Sequence, residues 1–266
     1  MPRILSLHVY PVKSCRGNAI ERMEFDSFGP IGDRRWMVIN ENAHEFLSQR
    51  SQPELALLRA RYDRFGGIEI RSPRSESILS IKPPSENLDP VEVGIWNTRA
   101  TACDAGDEAA SWLSDLIGIK VRLVGMNSRF RRPLNGNPND ETGFADGYPL
   151  LVISQASLED LNQRLEFPVE MNRFRPNIVI EECLPYDEDR WTRIKIGEAI
   201  FRSAGPCPRC IMTTVDPESG VRIGKEPLAT LSEYRRSNEG VLFGQNFINE
   251  SKSGFIEVGM PVEVVS

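Results

Sequence analysis

Apolar and polar positions along this chain alternate in short runs, and the alternation predicts strands more often than helices. In MPRILSLHVY, Ile4, Leu7 and Val9 stand among polar neighbours, which predicts an opening β-strand with His8 inside it. Up to about residue 100 the runs RRWMVIN, LALLRARYD, GIEIRS, SILSIKP and VEVGIW are rich in β-formers and bounded by Gly, Pro, Asn and Asp. Many short strands at this spacing predict a barrel or sandwich, not a parallel sheet. The pattern changes at 104–117, DAGDEAASWLSDLI, where acidic residues lead, Ala and Leu follow at helical spacing and Gly118 closes. A helix is predicted there.

Beyond it, KVRLVGM predicts a strand, and the polar stretch 127–146 predicts a long loop of the kind that carries function. YPLLVIS predicts a buried strand, and SQASLEDLNQRL a helix capped by Ser154 or Ser157. The last third returns to strands in NIVIEE, RIKIGEAIFRSA, IMTTVD and FIEVGMPVEVV. The predicted class is mainly β with a few helices (α+β), dividing near residue 120 into parts 1–120 and 121–266 that can share strands and the bridging helix.

Composition narrows the function. The 266 residues are 26% charged and 40% hydrophobic, as in a globular protein, and the net charge of −6 argues against nucleic acid as partner. No window has the roughly 18 to 20 apolar residues of a membrane span, and the N-terminus does not read as a secretory signal. Five cysteines, odd in number and mostly scattered, then imply reduced thiols and a cytoplasmic setting. Of 32 basic residues six are lysines, so arginine, the better bidentate partner of phosphate and carboxylate, dominates.

Candidate chemistry gathers at GPCPRCIMTTVDPESG. Cys207 and Cys210 have C-x-x-C spacing, and three readings stay open. The β-type run after Cys210 counts against a thioredoxin-like pair, whose second cysteine lies in a helix. Two histidines in the whole chain count against a four-ligand zinc site. The third reading is a pair of ordinary buried thiols. Arg209, next to Cys210, would favour a thiolate if its charge faced that sulfur. In YPVKSCRG, Lys13 and Ser14 suit a phosphate but lack the glycines of a Walker A loop. Arg34, Arg35, Arg50, Arg131, Arg132, Arg173 and Arg175 add cations on strands or loops, and Arg175, just before the apolar strand NIVI, needs a partner or a ligand.

Taken in order, YPVKSCRG, GDRRWMVIN, FRPNIVI and CPRCIMTTVDPESG…KEPLATL…YR, with FGQNF near the end, resemble the MOSC family and, within it, the amidoxime-reducing components. The resemblance implies an N-terminal MOSC β-barrel domain followed by a MOSC β-barrel domain that holds the molybdenum cofactor. It implies that Cys210 ligates molybdenum, with Cys207 only a neighbour. Lys13, Ser14 and Arg34 would hold the pterin and its phosphate, and Arg175, Asn177 and Arg209 would line the same site. Asp146 matches the family's aspartate and is the expected proton donor. Gly147 and Tyr148 stand where the family has small hydroxyl residues, so backbone donors are expected there.

The implied activity is molybdenum-dependent reduction of N-hydroxylated compounds: amidoximes, hydroxylamines and N-hydroxylated bases. The chain shows neither the membrane segment of mitochondrial relatives nor an appended ferredoxin-like cluster motif, so a separate electron-donor protein is expected. The alternative is a cofactor carrier or sulfur-transfer module without turnover.

Overall fold

In the computed structural model, residues 1–63, 65–85, 90–134 and 137–265 are described. The described residues are mainly β, with three α-helices.

The strand β1 (Arg3–Val9) shows how a local irregularity serves the core. Ile4 and Leu7 are both buried, although a spacing of three puts residues on opposite faces of a regular strand. The register against its partner slips between Ile4 and Ser6, leaving Leu5 outside and letting Ile4 and Leu7 both face inward. Next come β2 (Asn18–Ile20) and β3 (Trp36–Asn40), then the hairpin strands β4 (Arg59–Tyr62), β5 (Ile68–Ser72) and β6 (Ser75–Ile81). A second hairpin, β7 (Pro90–Ile95) and β8 (Thr98–Asp104), leads into α1 (Asp107–Ile117) and β9 (Val121–Gly125). The remaining main elements are β10 (Leu150–Ser154), α2 (Gln155–Asn162), β11 (Ile178–Glu181), β12 (Arg193–Ile196), β13 (Ala199–Arg209), α3 (Leu228–Tyr234), β14 (Gly240–Asn249) and β15 (Val262–Val264).

A nine-stranded sheet runs β2-β1-β11-β10-β14-β13-β12-β15, with Arg236–Ser237 added beside β14. Within it β10 and β11 are parallel and joined through α2, a βαβ unit. The ladder is not a closed ring. The gap between its ends is spanned by backbone bonds, among them Ile4 N–H to Met260 O at 3.0 Å and Val262 N–H to Pro2 O at 2.8 Å. Inside it Leu7, Val152, Ile178, Phe201 and Phe247 are fully buried, each contributing about 1.5–3 kcal/mol by burial. The sheets β3-β9-β8-β7 and β4-β5-β6 make the other β-rich part, packed around Trp36, Leu113 and Leu123. Sheet membership crosses residue 120 both ways: β1 and β2 join the C-terminal strands, while β9 joins the N-terminal ones.

Several elements differ from the sequence expectation. The first helix begins at Asp107, after Gly106 at positive φ, and ends as expected at left-handed Gly118. The expected strand LALLRARYD starts with a 3-10 turn over Pro53–Leu57, which Pro53 initiates. The expected loop 127–146 contains a short hairpin, Pro133–Leu134 with Asn137–Glu141. The expected strand IMTTVD is a strand only at Val215–Asp216, paired with Val221–Arg222; Ile211–Thr214 is a 3-10 turn, because the Thr213 and Thr214 hydroxyls donate back to the carbonyls of Cys210 and Ile211. Ser154 is the cap of α2, accepting from Ser157 N–H at 3.0 Å. No helix among the described residues is long and apolar enough to cross a membrane.

Candidate functional site

The register of the large sheet brings three chain segments together. Leu7 faces Ile178, and Ile178 faces Val152, so the C-terminal end of β1 lies beside the N-terminal ends of β10 and β11. YPVKS follows the first, ADGYP precedes the second and FRPN precedes the third. The fourth segment, CPRC, comes from the end of β13, bent by register shifts at Ser203–Gly205 and Pro206–Pro208.

A cavity of 270 Å³ lies where these segments meet. All ten residues that the resemblance places at the site line it: Lys13, Ser14, Arg34, Asp146, Gly147, Tyr148, Arg175, Asn177, Arg209 and Cys210; Arg35, Arg131 and Arg132 do not. Arg50, Arg173, Met212, Thr213 and Asn246 line it as well. Arg50 and Arg173 stood out in the sequence as cations, but nothing in their local context pointed inward. Asn246 gave a weak signal through FGQNF.

Backbone strain marks the same place. Ser14, Arg34 and Arg175 have φ of 66°, 46° and 57°, three of eight non-glycine residues at positive φ among those described. Such backbone costs about 1–3 kcal/mol per residue and persists where surrounding contacts enforce it. The enforcing contacts are visible. Arg34 N–H donates to Tyr10 O at 2.7 Å, and Gln49 Nε2 donates to Ser14 O at 2.6 Å. Arg175 Nη1 donates to Cys15 O at 2.6 Å, and its guanidinium lies 4.3 Å from the Tyr10 ring centroid. Gly17 keeps that ring in place, since a Cβ there would sit 2.4 Å from it.

The floor centres on buried Asp33. Its carboxylate accepts from Tyr10 N–H at 2.8 Å, Asn177 Nδ2 at 3.1 Å and Arg34 Nη1 at 2.6 Å. Asn177 Oδ1 accepts from Arg34 Nη1 and Leu151 N–H, tying the floor to β10. Burial opposes the charge of Arg34, but Asp33 outweighs it and raises its pKa. Arg175 lacks such a partner: burial, then the neighbouring Arg34, lower it to about 10.

At the rim, the Lys13 ammonium is buried, donates to Phe144 O at 2.8 Å and pairs with Asp146. Burial lowers Lys13 to about 8 even though Asp146 pulls the other way. Burial would raise the Asp146 carboxyl, but Lys13 and then Arg50 hold it well below the usual carboxylate range. Arg132 fixes this loop from behind through the carbonyls of Gly143, Ala145 and Asp146. A Cβ at Gly147 would meet nothing within 4 Å, so this position opens onto free space.

Cys210 is half-buried and begins the 3-10 turn; both it and Cys207 are free thiols. The Arg209 guanidinium turns away from Cys210: Nη1 donates to Cys207 Sγ at 3.1 Å and Nη2 to Phe174 O at 2.5 Å. The charge next to Cys210 in sequence is therefore not spent on its sulfur. Among the described residues no three His, Cys, Asp or Glu side chains gather as a metal site.

The donor set favours an anionic ligand. Cations outnumber carboxylates along the lining, and the buried Arg50 Nη1 and Arg209 Nε meet no hydrogen-bond partner. Buried donors of this kind cost about 1–3 kcal/mol unless something accepts from them.

Comparison with known proteins identifies the family. Residues 1–120 match the MOSC N-terminal beta barrel domain, and residues 139–263 match the MOSC domain. The chain is 35% identical over 278 residues to mitochondrial amidoxime-reducing component 1 of Homo sapiens, covering 97% of this chain and 82% of that protein. The Mus musculus protein of the same name is 34% identical, with 97% and 81% covered. Molybdenum cofactor sulfurase of Oryza sativa subsp. japonica is 36% identical over 261 residues, which are 90% of this chain and 31% of that protein. With both modules in order and most of the chain matched, this protein belongs to the MOSC family, carrying a MOSC N-terminal domain ahead of its MOSC domain.

Proposed function

We propose that this protein is a molybdenum-cofactor-dependent reductase of N-hydroxylated compounds, working in the cytoplasm and supplied with electrons by a separate protein. One observation carries the reading: a half-buried thiol, Cys210, shares a cavity with Lys13, Arg34, Arg50 and Arg175, a soft ligand beside an anion cradle. The amidoxime-reducing relatives, similar over nearly the whole chain, supply the substrate class.

When bound, the cofactor supplies a redox-active metal that takes electrons and oxygen; the protein positions it and controls protons. Cys210 would hold the metal through its thiolate, and Lys13, Ser14, Arg34 and Arg175 would hold the pterin phosphate. Asn177 and Asp33 fix the Arg34 fork, and Arg209 fixes the strand end beside Cys210 through Phe174 O. Proton delivery falls differently from the sequence expectation. Asp146, held ionised by Lys13, keeps no proton near neutral pH, whereas Lys13 at about 8 can release one. In this scheme Lys13 stores the proton and Asp146 steers it towards the cavity.

The test is molybdenum content and turnover together. Protein from a host that makes the cofactor retains molybdenum and, with a flavin or haem electron donor, reduces benzamidoxime. Cys210→Ala loses the metal. If Cys210→Ala keeps stoichiometric molybdenum, the ligand assignment fails. If wild type keeps molybdenum but never oxidises the donor, the protein is a cofactor carrier, the reading that similarity to the sulfurase would then favour.

A further inference from the structure

The β7–β8 hairpin ends in an unusual turn. Ile95 pairs with Thr98, leaving Trp96 and Asn97 as the two-residue connection. Trp96 has φ of 54°. Two-residue hairpin turns place Gly, Asn or Asp at such positions, and a bulky aromatic side chain there is a steric outlier. Folding alone gives no reason for it, because the side chain is not spent on the core: Trp96 is 50% exposed.

Its contacts point to the cavity mouth instead. The indole Nε1–H donates to Asp146 Oδ1 at 3.2 Å. The Arg50 guanidinium lies 4.5 Å from the ring centroid, and Arg50 Nη2 is 3.6 Å from Asp146 Oδ2. Phe46 meets the ring edge-on, with centroids 4.9 Å apart, and also lies beneath the Lys13 ammonium at 4.7 Å. The tryptophan is thereby braced against two residues that line the cavity while much of its surface faces solvent. Strain that the surroundings enforce beside a cavity mouth is the usual mark of a binding function.

We propose that Trp96 is a substrate-binding platform at the cavity mouth, selecting planar, conjugated N-hydroxylated compounds over saturated ones. Resting on the reductase reading, the proposal assigns its substrate preference: the open indole surface stacks an amidoxime or an N-hydroxylated base, while Asp146 accepts from its polar edge. A saturated hydroxylamine has no π-face to stack and gains nothing from the ring.

The experiment compares benzamidoxime with N-methylhydroxylamine on the cofactor-loaded full chain as wild type, Trp96→Phe and Trp96→Gly. Glycine suits the positive φ, so that variant keeps the turn while removing the ring. Trp96→Gly is expected to lower kcat/KM for benzamidoxime about tenfold more than for N-methylhydroxylamine, mostly through KM, and Trp96→Phe to recover most of the difference. In parallel, benzamidoxime is expected to quench wild-type tryptophan fluorescence, with the quenched component absent from Trp96→Phe; Trp36 and Trp191 are buried away from such contact. Equal losses on both substrates would overturn the proposal, as would saturation without quenching. A rise in KM for the electron-donor protein alone would also overturn it and make Trp96 part of a docking surface. If wild type reduces neither substrate, the reductase reading fails, and the quenching still decides whether planar compounds stack on Trp96.

Discussion

Asp33, Arg34, Asn177 and Tyr10, on the cavity floor, satisfy one another, whereas Arg50, Arg209 and Asp146 at the rim leave bonding capacity open. Both regions are rich in arginine and carboxylate, so residue type does not separate them. Burial and partner count do. Every floor carboxylate oxygen and amide has a donor or acceptor within 3.2 Å, and Asp33 and Asn177 are nearly inaccessible. At the rim Asp146 is half-exposed, and the buried Arg50 Nη1 and Arg209 Nε have no partner. A closed network spends its hydrogen bonds on rigidity, while an open one keeps them for a ligand.

Breaking the floor should therefore cost folding, and breaking the rim should cost binding. The largest effect is expected at Asp33. Asp33→Ala strands Arg34 and removes acceptors from Tyr10 N–H and Asn177, so about 3–5 kcal/mol of stability is lost in urea denaturation. A loss near zero would mean that the floor is not the rigid element.

Lys13 comes next, and its effect depends on pH. With its pKa lowered to about 8, the ammonium attracts a bound anion fully below pH 8 and loses that attraction as pH rises through it. Retention of the pterin phosphate is expected to weaken by up to about tenfold per pH unit above 8, and Lys13→Met should abolish the step. The measurement is molybdenum retained after dialysis at graded pH.

A smaller effect is expected at Arg50. Arg50→Ala removes a partly exposed cation with an unsatisfied nitrogen, so stability changes by less than about 0.5 kcal/mol. Cofactor retention falls about tenfold, the worth of one charge-assisted contact. Ser154→Ala supplies the control: losing the α2 cap costs about 1 kcal/mol in thermal unfolding and leaves retention unchanged. Should it also release the cofactor, general loosening would explain the rim variants.

Much of the site was legible because each of its motifs is local. YPVKS, FRPN and CPRC keep their chemistry in a few consecutive residues, and the six residues taken from them line one cavity with Arg34, Asp146, Gly147 and Tyr148, which the family resemblance supplied. What escaped was non-local. Arg209 adjoins Cys210 in sequence yet bonds Cys207, because the turn at Cys210 directs the two side chains differently. IMTTVD has β-type residues, but only Val215 and Asp216 find a partner strand, at Val221–Arg222, while the threonine hydroxyls hold Ile211–Thr214 in a short turn. Trp96 reads as the end of a β-run; its place over Arg50 and Asp146 depends on a hairpin docking against a loop fifty residues away.

The sequence by itself determined a mainly β chain with the helices at α1 and α2, whose periodicity and caps act within a few residues, and which thiols and cations were available to a site. The tertiary structure decided which strands share a sheet, so that β1 joins the C-terminal half and β9 the N-terminal one. It also decided which charges are neutralised and which stay available. Pairing and desolvation depend on distances between segments far apart in the chain, and no local pattern of hydrophobic and polar residues encodes them.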